Sequence, residues 1–96
     1  MMEPRANQAV DAGQGGRVPV IVPDIVIEGS MRVSLWLVAR GANVLAGDRI
    51  VELLAGAATI DLEAPVAGRV VRQLVDEDDM VGPGTVLAEI EPAEGA

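Results

Sequence analysis

"RVSLWLVARGANVLAGDRIVEL" (Arg32–Leu53) returns 37 residues later as "RVVRQLVDEDDMVGPGTVLAEI" (Arg69–Ile90). The two stretches align without a gap. Val33 meets Val70, Leu37 meets Leu74, Val38 meets Val75 and Val44 meets Val81. Further along, Gly47 meets Gly84, Ile50 meets Leu87, Glu52 meets Glu89 and Leu53 meets Ile90. The matches are mostly apolar positions and one turn glycine, which is what packing asks of two copies of one unit. Neither copy keeps a 3.6-residue apolar period for three turns, so a long helix is not expected. A unit this short cannot bury its apolar face alone. Two similar halves related by an approximate twofold axis are the natural inference.

Working outward, the strand-like runs are "VPVIV", "RVSLWLVA", "RIVELL", "ATIDLE", "GRVVRQLV" and "TVLAEI". β-branched residues dominate, and turn residues recur at short intervals. Between them lie "PDIVIEGS", "RGANVLAGD", "LAGA", "APVAG" and "DEDDMVGPG". Short strands with turn signals at such intervals predict an all-β fold. The expected form is a flattened β-barrel or sandwich of two antiparallel sheets with internal pseudo-twofold symmetry. Met1–Arg17 is polar, small and aperiodic and reads as a disordered N-terminal tail (1–17). The ordered domain is expected over 18–91, with a flexible C-terminus at 92–96.

Composition removes whole classes of chemistry. The chain has 96 residues, no Cys and no His, so disulfides, thiol chemistry and Cys/His metal sites are excluded. The commonest general base near neutral pH is missing too. Trp36 is the sole aromatic residue, and the net charge is −8. Without stacking residues or a basic surface, nucleic acid is not an expected partner. Apolar runs are short and interrupted, so no membrane span is expected. No leader with an apolar core is visible, and the cytoplasm is the expected location. All seven basic residues are arginine. The sequence therefore offers no lysine amine for an amide or a Schiff base.

Four segments, in order, resemble the lipoyl/biotinyl carrier domain family: "VPVIVPDIVIEG", "WLVARGANVLAGDRIVEL", "ATIDLEAPVAGRV" and "VGPGTVLAEI". Each motif alone is weak; their order and spacing together are specific. The resemblance implies a loading hairpin whose tip reads Asp-Lys-Ala in lipoyl domains or Met-Lys-Met in biotinyl domains. It places that lysine eight residues before the Pro of "APVAG", on Ala57, with Gly56 and Ala58 as its flanks. "GAA" thus stands where the attachment motif would be, and neither lipoate nor biotin is an expected cofactor. Asp78 occupies a turn position where the family prefers Gly, and Asp tolerates the left-handed conformation such a turn needs. The first loop is expected to be longer than the family spacing.

Three readings of the tip "LLAGAAT" stay open. Leu54, Ala55, Gly56, Ala57 and Ala58 form a docking knob, since a protruding apolar tip gains by burial. Alternatively the tip is a turn that drifted once loading was lost. In the third reading the attachment lysine of a swinging-arm acyl or carboxyl carrier was replaced at Ala57. The other candidates read as structural. Asp76–Asp79 is four consecutive carboxylates without the spaced pattern of a calcium loop, hence a solvated turn. Asp61 and Glu63 alternate along a strand and share an outer, wet face. Trp36 reads as a core or half-buried anchor. Gly47, Gly68 and Gly84 read as turn glycines. Ser and Thr have no base to activate them. The expected function is non-catalytic: a lipoyl-like domain that cannot be lipoylated or biotinylated. It would dock a protein partner, a dehydrogenase, decarboxylase or acyltransferase subunit, in or beside a 2-oxo acid dehydrogenase-like or acyl-transfer complex.

Overall fold

Residues 16–25 and 29–93 are described by the computed structural model. They form eight strands: β1 (Val18–Ile21), β2 (Met31–Trp36), β3 (Asn43–Val44), β4 (Arg49–Ala55), β5 (Ala58–Glu63), β6 (Gly68–Gln73), β7 (Met80–Val81) and β8 (Val86–Pro92). No helix occurs among the described residues. The six runs read from the sequence correspond to β1, β2, β4, β5, β6 and β8. β3 and β7 were not expected. Each is two residues long, too short to show the alternation that marks a strand.

The strands form two four-stranded sheets, ordered β1-β8-β6-β3 and β5-β4-β2-β7. Every pairing is antiparallel. Each sheet takes two strands from β1–β4 and two from β5–β8, so neither half completes a sheet without the other. The expected all-β architecture of two antiparallel sheets is thus found, and the sequence repeat reappears in its backbone. At the offset of 37, β2, β3 and β4 fall on β6, β7 and β8. Even the irregularities repeat: the register shifts between Val33 and Leu35 on β2, and between Val70 and Arg72 on β6.

β1 matches β5 at an offset of 42 instead. Val18 faces Ile90 as Ile60 faces Leu53, and Val20 faces Ala88 as Leu62 faces Val51. The difference is the β1–β2 connection, residues 22–30, five longer than the β5–β6 connection, residues 64–67. The first loop expected to be long is this one. Both connections leave their strand through the same clasp. The Val22 N–H donates to the Thr85 carbonyl (3.0 Å), and the Gly84 N–H donates to the Val22 carbonyl (2.9 Å). In the other half, the Ala64 N–H donates to the Asp48 carbonyl (2.8 Å) and the Gly47 N–H to the Ala64 carbonyl (2.9 Å).

Turn chemistry repeats as well. Gly41 turns at φ 93°, and its counterpart Asp78 turns at φ 76°. That is the left-handed region, which glycine enters freely and Asp more readily than most residues. Gly41 N–H donates to the Val70 carbonyl (2.7 Å) and Asp78 N–H to the Val33 carbonyl (2.8 Å), so the two turns hold equivalent strands.

The core lies between the sheets. Val33 and Val70, Ile50 and Leu87, Leu53 and Ile90, Val20 and Leu62, and Val22 and Ala64 are buried in matching pairs. No polar or charged residue among those described is buried. This is the expected outcome when strands alternate and one face is apolar.

Gly68 corrects the reading of it as a turn glycine. It is the first residue of β6, is buried, and lies opposite Pro92. A Cβ there would collide with the backbone carbonyl oxygen of Glu91 and come within 2.9 Å of Ile90 Cγ2. Glycine is needed because β6 and β8 approach closely. Contacts of the described residues reach past the boundaries drawn from sequence. Arg17 Nη1 lies 3.5 Å from Glu89 Oε1, β8 includes Pro92, and the Ala93 N–H donates to the Ala67 carbonyl (3.0 Å). Residues 1–15 of the proposed tail and residues 94–96 lie outside the described residues.

Candidate functional site

β4 and β5 form the hairpin that the sequence marks. Ala55 and Ala58 are its last pair, and Gly56 and Ala57 make the two-residue turn. Gly56 has φ 63°, whereas Ala57 is not in the left-handed region. A positive φ at the first central position alone is the pattern of a type II′ turn, which calls for glycine there and matches the twist of the strands. Gly56 is therefore explained by backbone geometry, without reference to cargo.

The five candidate residues do not all reach the surface. Gly56, Ala57 and Ala58 are exposed, but Ala55 is buried and Leu54 is half-buried. Alternation is the cause: Leu53 and Ala55 point into the core, and Leu54 points outward beside Thr59. The exposed tip is three small residues, with Leu54 set one step back on the outer sheet face.

The tip has no group to load. Lipoate and biotin attach through an amide, and that bond needs a primary amine. Ala57, the position that the family resemblance aligns with the attachment lysine, carries a methyl group, and its neighbours are Gly and Ala. The residues present do not fit either cofactor. Behind the tip, the hairpin is acidic: Glu52 lies opposite Asp61 across β4 and β5. Arg49 Nη1 lies 3.2 Å from Asp61 Oδ2, and Glu63 stays exposed. Asp61 is thus ion-paired, Glu52 half-buried and Glu63 exposed.

The acidic run holds its own turn and ties it to β2. Asp79 Oδ2 accepts from the Asp76 N–H (2.8 Å), and Glu77 Oε2 accepts from the Trp36 N–H (3.0 Å). Asp78 Oδ1 lies 4.0 Å from Arg32 Nε. Among the described residues, no group of three or more acidic side chains is placed to hold a metal.

Trp36 is half-buried against the core, and its Nε1 donates to the Val75 carbonyl (3.1 Å). The counterpart of Trp36 is Gln73, whose Nε2 donates to the Val38 carbonyl (2.9 Å). Val38 and Val75 are themselves counterparts, so two unlike side chains make one equivalent bond. Sequence comparison missed this pair because Trp and Gln share no chemistry except an N–H at similar reach.

Sequence reasoning also missed the outer face of the β5-β4-β2-β7 sheet. Its side chains include Arg32, Leu35, Glu52, Leu54 and Met80, brought together from three strands. Leu35 is 46% and Met80 62% exposed. The signal that would have found them is register, which the repeat encodes but does not display.

Comparisons with known proteins agree with this geometry. A family model described as "Biotin-requiring enzyme" (Biotin_lipoyl) matches residues 18–90. The chain is also 33% identical over 99 residues, 98% of its length, to the dihydrolipoyllysine-residue acetyltransferase component of the pyruvate dehydrogenase complex of Corynebacterium glutamicum. It spans 14% of that protein's length. With its two interlocked sheets and its intact but lysine-free hairpin, the chain belongs to the biotin/lipoyl carrier domain family.

Proposed function

We propose that this chain is a non-catalytic lipoyl-like domain that carries neither lipoate nor biotin and acts by docking a protein partner. One observation carries the reading: the hairpin keeps a two-residue tip, Gly56-Ala57, in a chain with no lysine. A scaffold that retains its shape without the loaded residue retains a surface. The relative's membership in a pyruvate dehydrogenase complex supports a partner of that class. The partner is a dehydrogenase, decarboxylase or acyltransferase subunit of a 2-oxo acid dehydrogenase-like or acyl-transfer assembly, met in the cytoplasm.

A second reading is favoured by the preserved tip geometry. In it, the domain is a swinging-arm acyl or carboxyl carrier whose lysine was replaced at Ala57. Ligase assays separate the two. The chain and the double variant Gly56→Asp/Ala57→Lys are incubated with lipoate ligase, ATP and lipoate, and in parallel with biotin ligase and biotin. Intact mass is then measured. The docking reading expects no mass gain on the chain, and a gain there would refute it. A loaded double variant supports the replaced-lysine reading, and an unloaded one counts against it.

A further inference from the structure

The pseudo-twofold axis makes the two outer sheet faces natural controls for each other. On the β1-β8-β6-β3 sheet, Glu89 lies between Pro19 on β1 and Arg72 on β6, and Glu91 lies opposite Arg69. That face is closed by cross-strand ion pairs. Glu89 Oε1 lies 3.5 Å from Arg17 Nη1 and 3.9 Å from Arg72 Nη1, and Glu91 Oε1 lies 3.4 Å from Arg69 Nη2. Three arginines and two glutamates interleave there, beside the exposed Pro19 and Ile21 of the β1 edge.

The same positions on the hairpin sheet carry different chemistry. Arg72 becomes Leu35, Glu91 becomes Leu54, and Asn43 becomes Met80. Glu52, the counterpart of Glu89, has lost its cross-strand arginine, and Leu35 lies opposite it. Leu35 and Leu54 are diagonal neighbours on β2 and β4, and the Arg32 stem links Leu54 to Met80. Acidic residues border this face, Asp61 and Glu63 on the β5 edge and Asp76 to Asp79 ahead of the β7 edge, with Asp61 paired to Arg49 and Asp78 lying 4.0 Å from Arg32. An open groove lined by Leu37, Arg49, Glu52 and Asp61 continues the face.

We infer that the outer face of the β5-β4-β2-β7 sheet is the recognition surface, fitting a partner protein with an apolar patch bordered by arginine or lysine. The inference rests on the docking reading and moves its centre from the hairpin tip to the sheet behind it. Two observations select this occupant. The apolar residues replace an ion-pair ladder that the twin face keeps, so the fold does not require them. The acidic rim repels a second copy of this chain, whose net charge is −8, and favours a basic partner.

The test uses the isotope-labelled chain and the unlabelled purified pyruvate dehydrogenase complex of Corynebacterium glutamicum as the probe. Amide line broadening maps the contact. The expected result is broadening at Arg32, Leu35, Glu52 and Leu54, with Arg69, Arg72, Glu89 and Glu91 unaffected. Leu35→Arg/Leu54→Glu copies the twin face onto this one. It should fold like the parent and bind at least about tenfold more weakly, the loss typical of central interface residues. The reverse swap, Arg72→Leu/Glu91→Leu, should leave affinity unchanged. Raising salt should weaken binding of the parent chain. Broadening confined to Gly56, Ala57 and Ala58, with the first swap binding normally, overturns this inference and leaves hairpin docking standing. Absence of broadening anywhere overturns both. Equal broadening of the two faces also overturns it.

Discussion

Replacing Gly68 by alanine puts a methyl carbon against the Glu91 carbonyl oxygen, at the start of β6 in the centre of its sheet. The obstacle is backbone, so no side-chain rotation relieves it. β6 and β8 must part, or the pairing of Gly68 with Pro92 must break. Overpacking of this kind costs about 1–3 kcal/mol, and a rigid obstacle sets the upper end. Removing a strand glycine returns about 0.5–1 kcal/mol through the unfolded chain. The net loss is about 2 kcal/mol, or roughly 8–16 °C in melting temperature for a domain of this size. Gly82→Ala is the control. A Cβ there meets nothing within 4 Å and Gly82 is not at positive φ, so that variant should match the parent or gain up to about 1 kcal/mol. Thermal unfolding followed by far-UV circular dichroism reads both. If Gly68→Ala melts within about 3 °C of the parent, less than 1 kcal/mol is involved, and the close-approach argument is wrong.

Trp36→Phe keeps most of the packing and removes the donor to the Val75 carbonyl, so stability should fall by about 1 kcal/mol in urea titrations followed by circular dichroism. Asp48 and Thr85 cap equivalent turns, accepting from the Leu45 N–H (2.8 Å) and the Gly82 N–H (3.1 Å). Asp48→Ala and Thr85→Val should each cost about 0.5–1.5 kcal/mol and be additive in the double variant, since the turns belong to opposite halves. A loss in only one of them would show that the two turns are not energetically equivalent.

Much of the fold was legible because the repeat is a packing pattern. Val33 and Val70, Ile50 and Leu87, and Leu53 and Ile90 share positions since each must enter one core from one side of a strand. Turn chemistry was legible for the same local reason: Asp78 at φ 76° stands where glycine stands in the first half. β3 and β7 were not legible, because two residues carry no period. Gly68 was misread because a close backbone approach leaves the same letter in the sequence as a turn.

The sequence by itself determined that the chain has no lysine amine to load, since that follows from residue identity alone. It also determined the two-part architecture and the alternation that buries its apolar faces. Only the tertiary structure decided what lies beside what. It buried Ala55 within a tip read as exposed, and it matched the Trp36 and Gln73 bonds. It also set Leu35, Leu54 and Met80 on one face where the twin face holds charge. Strand register is fixed by contacts between residues distant in the chain, and a one-residue slip would send each of those side chains to the other side of its sheet.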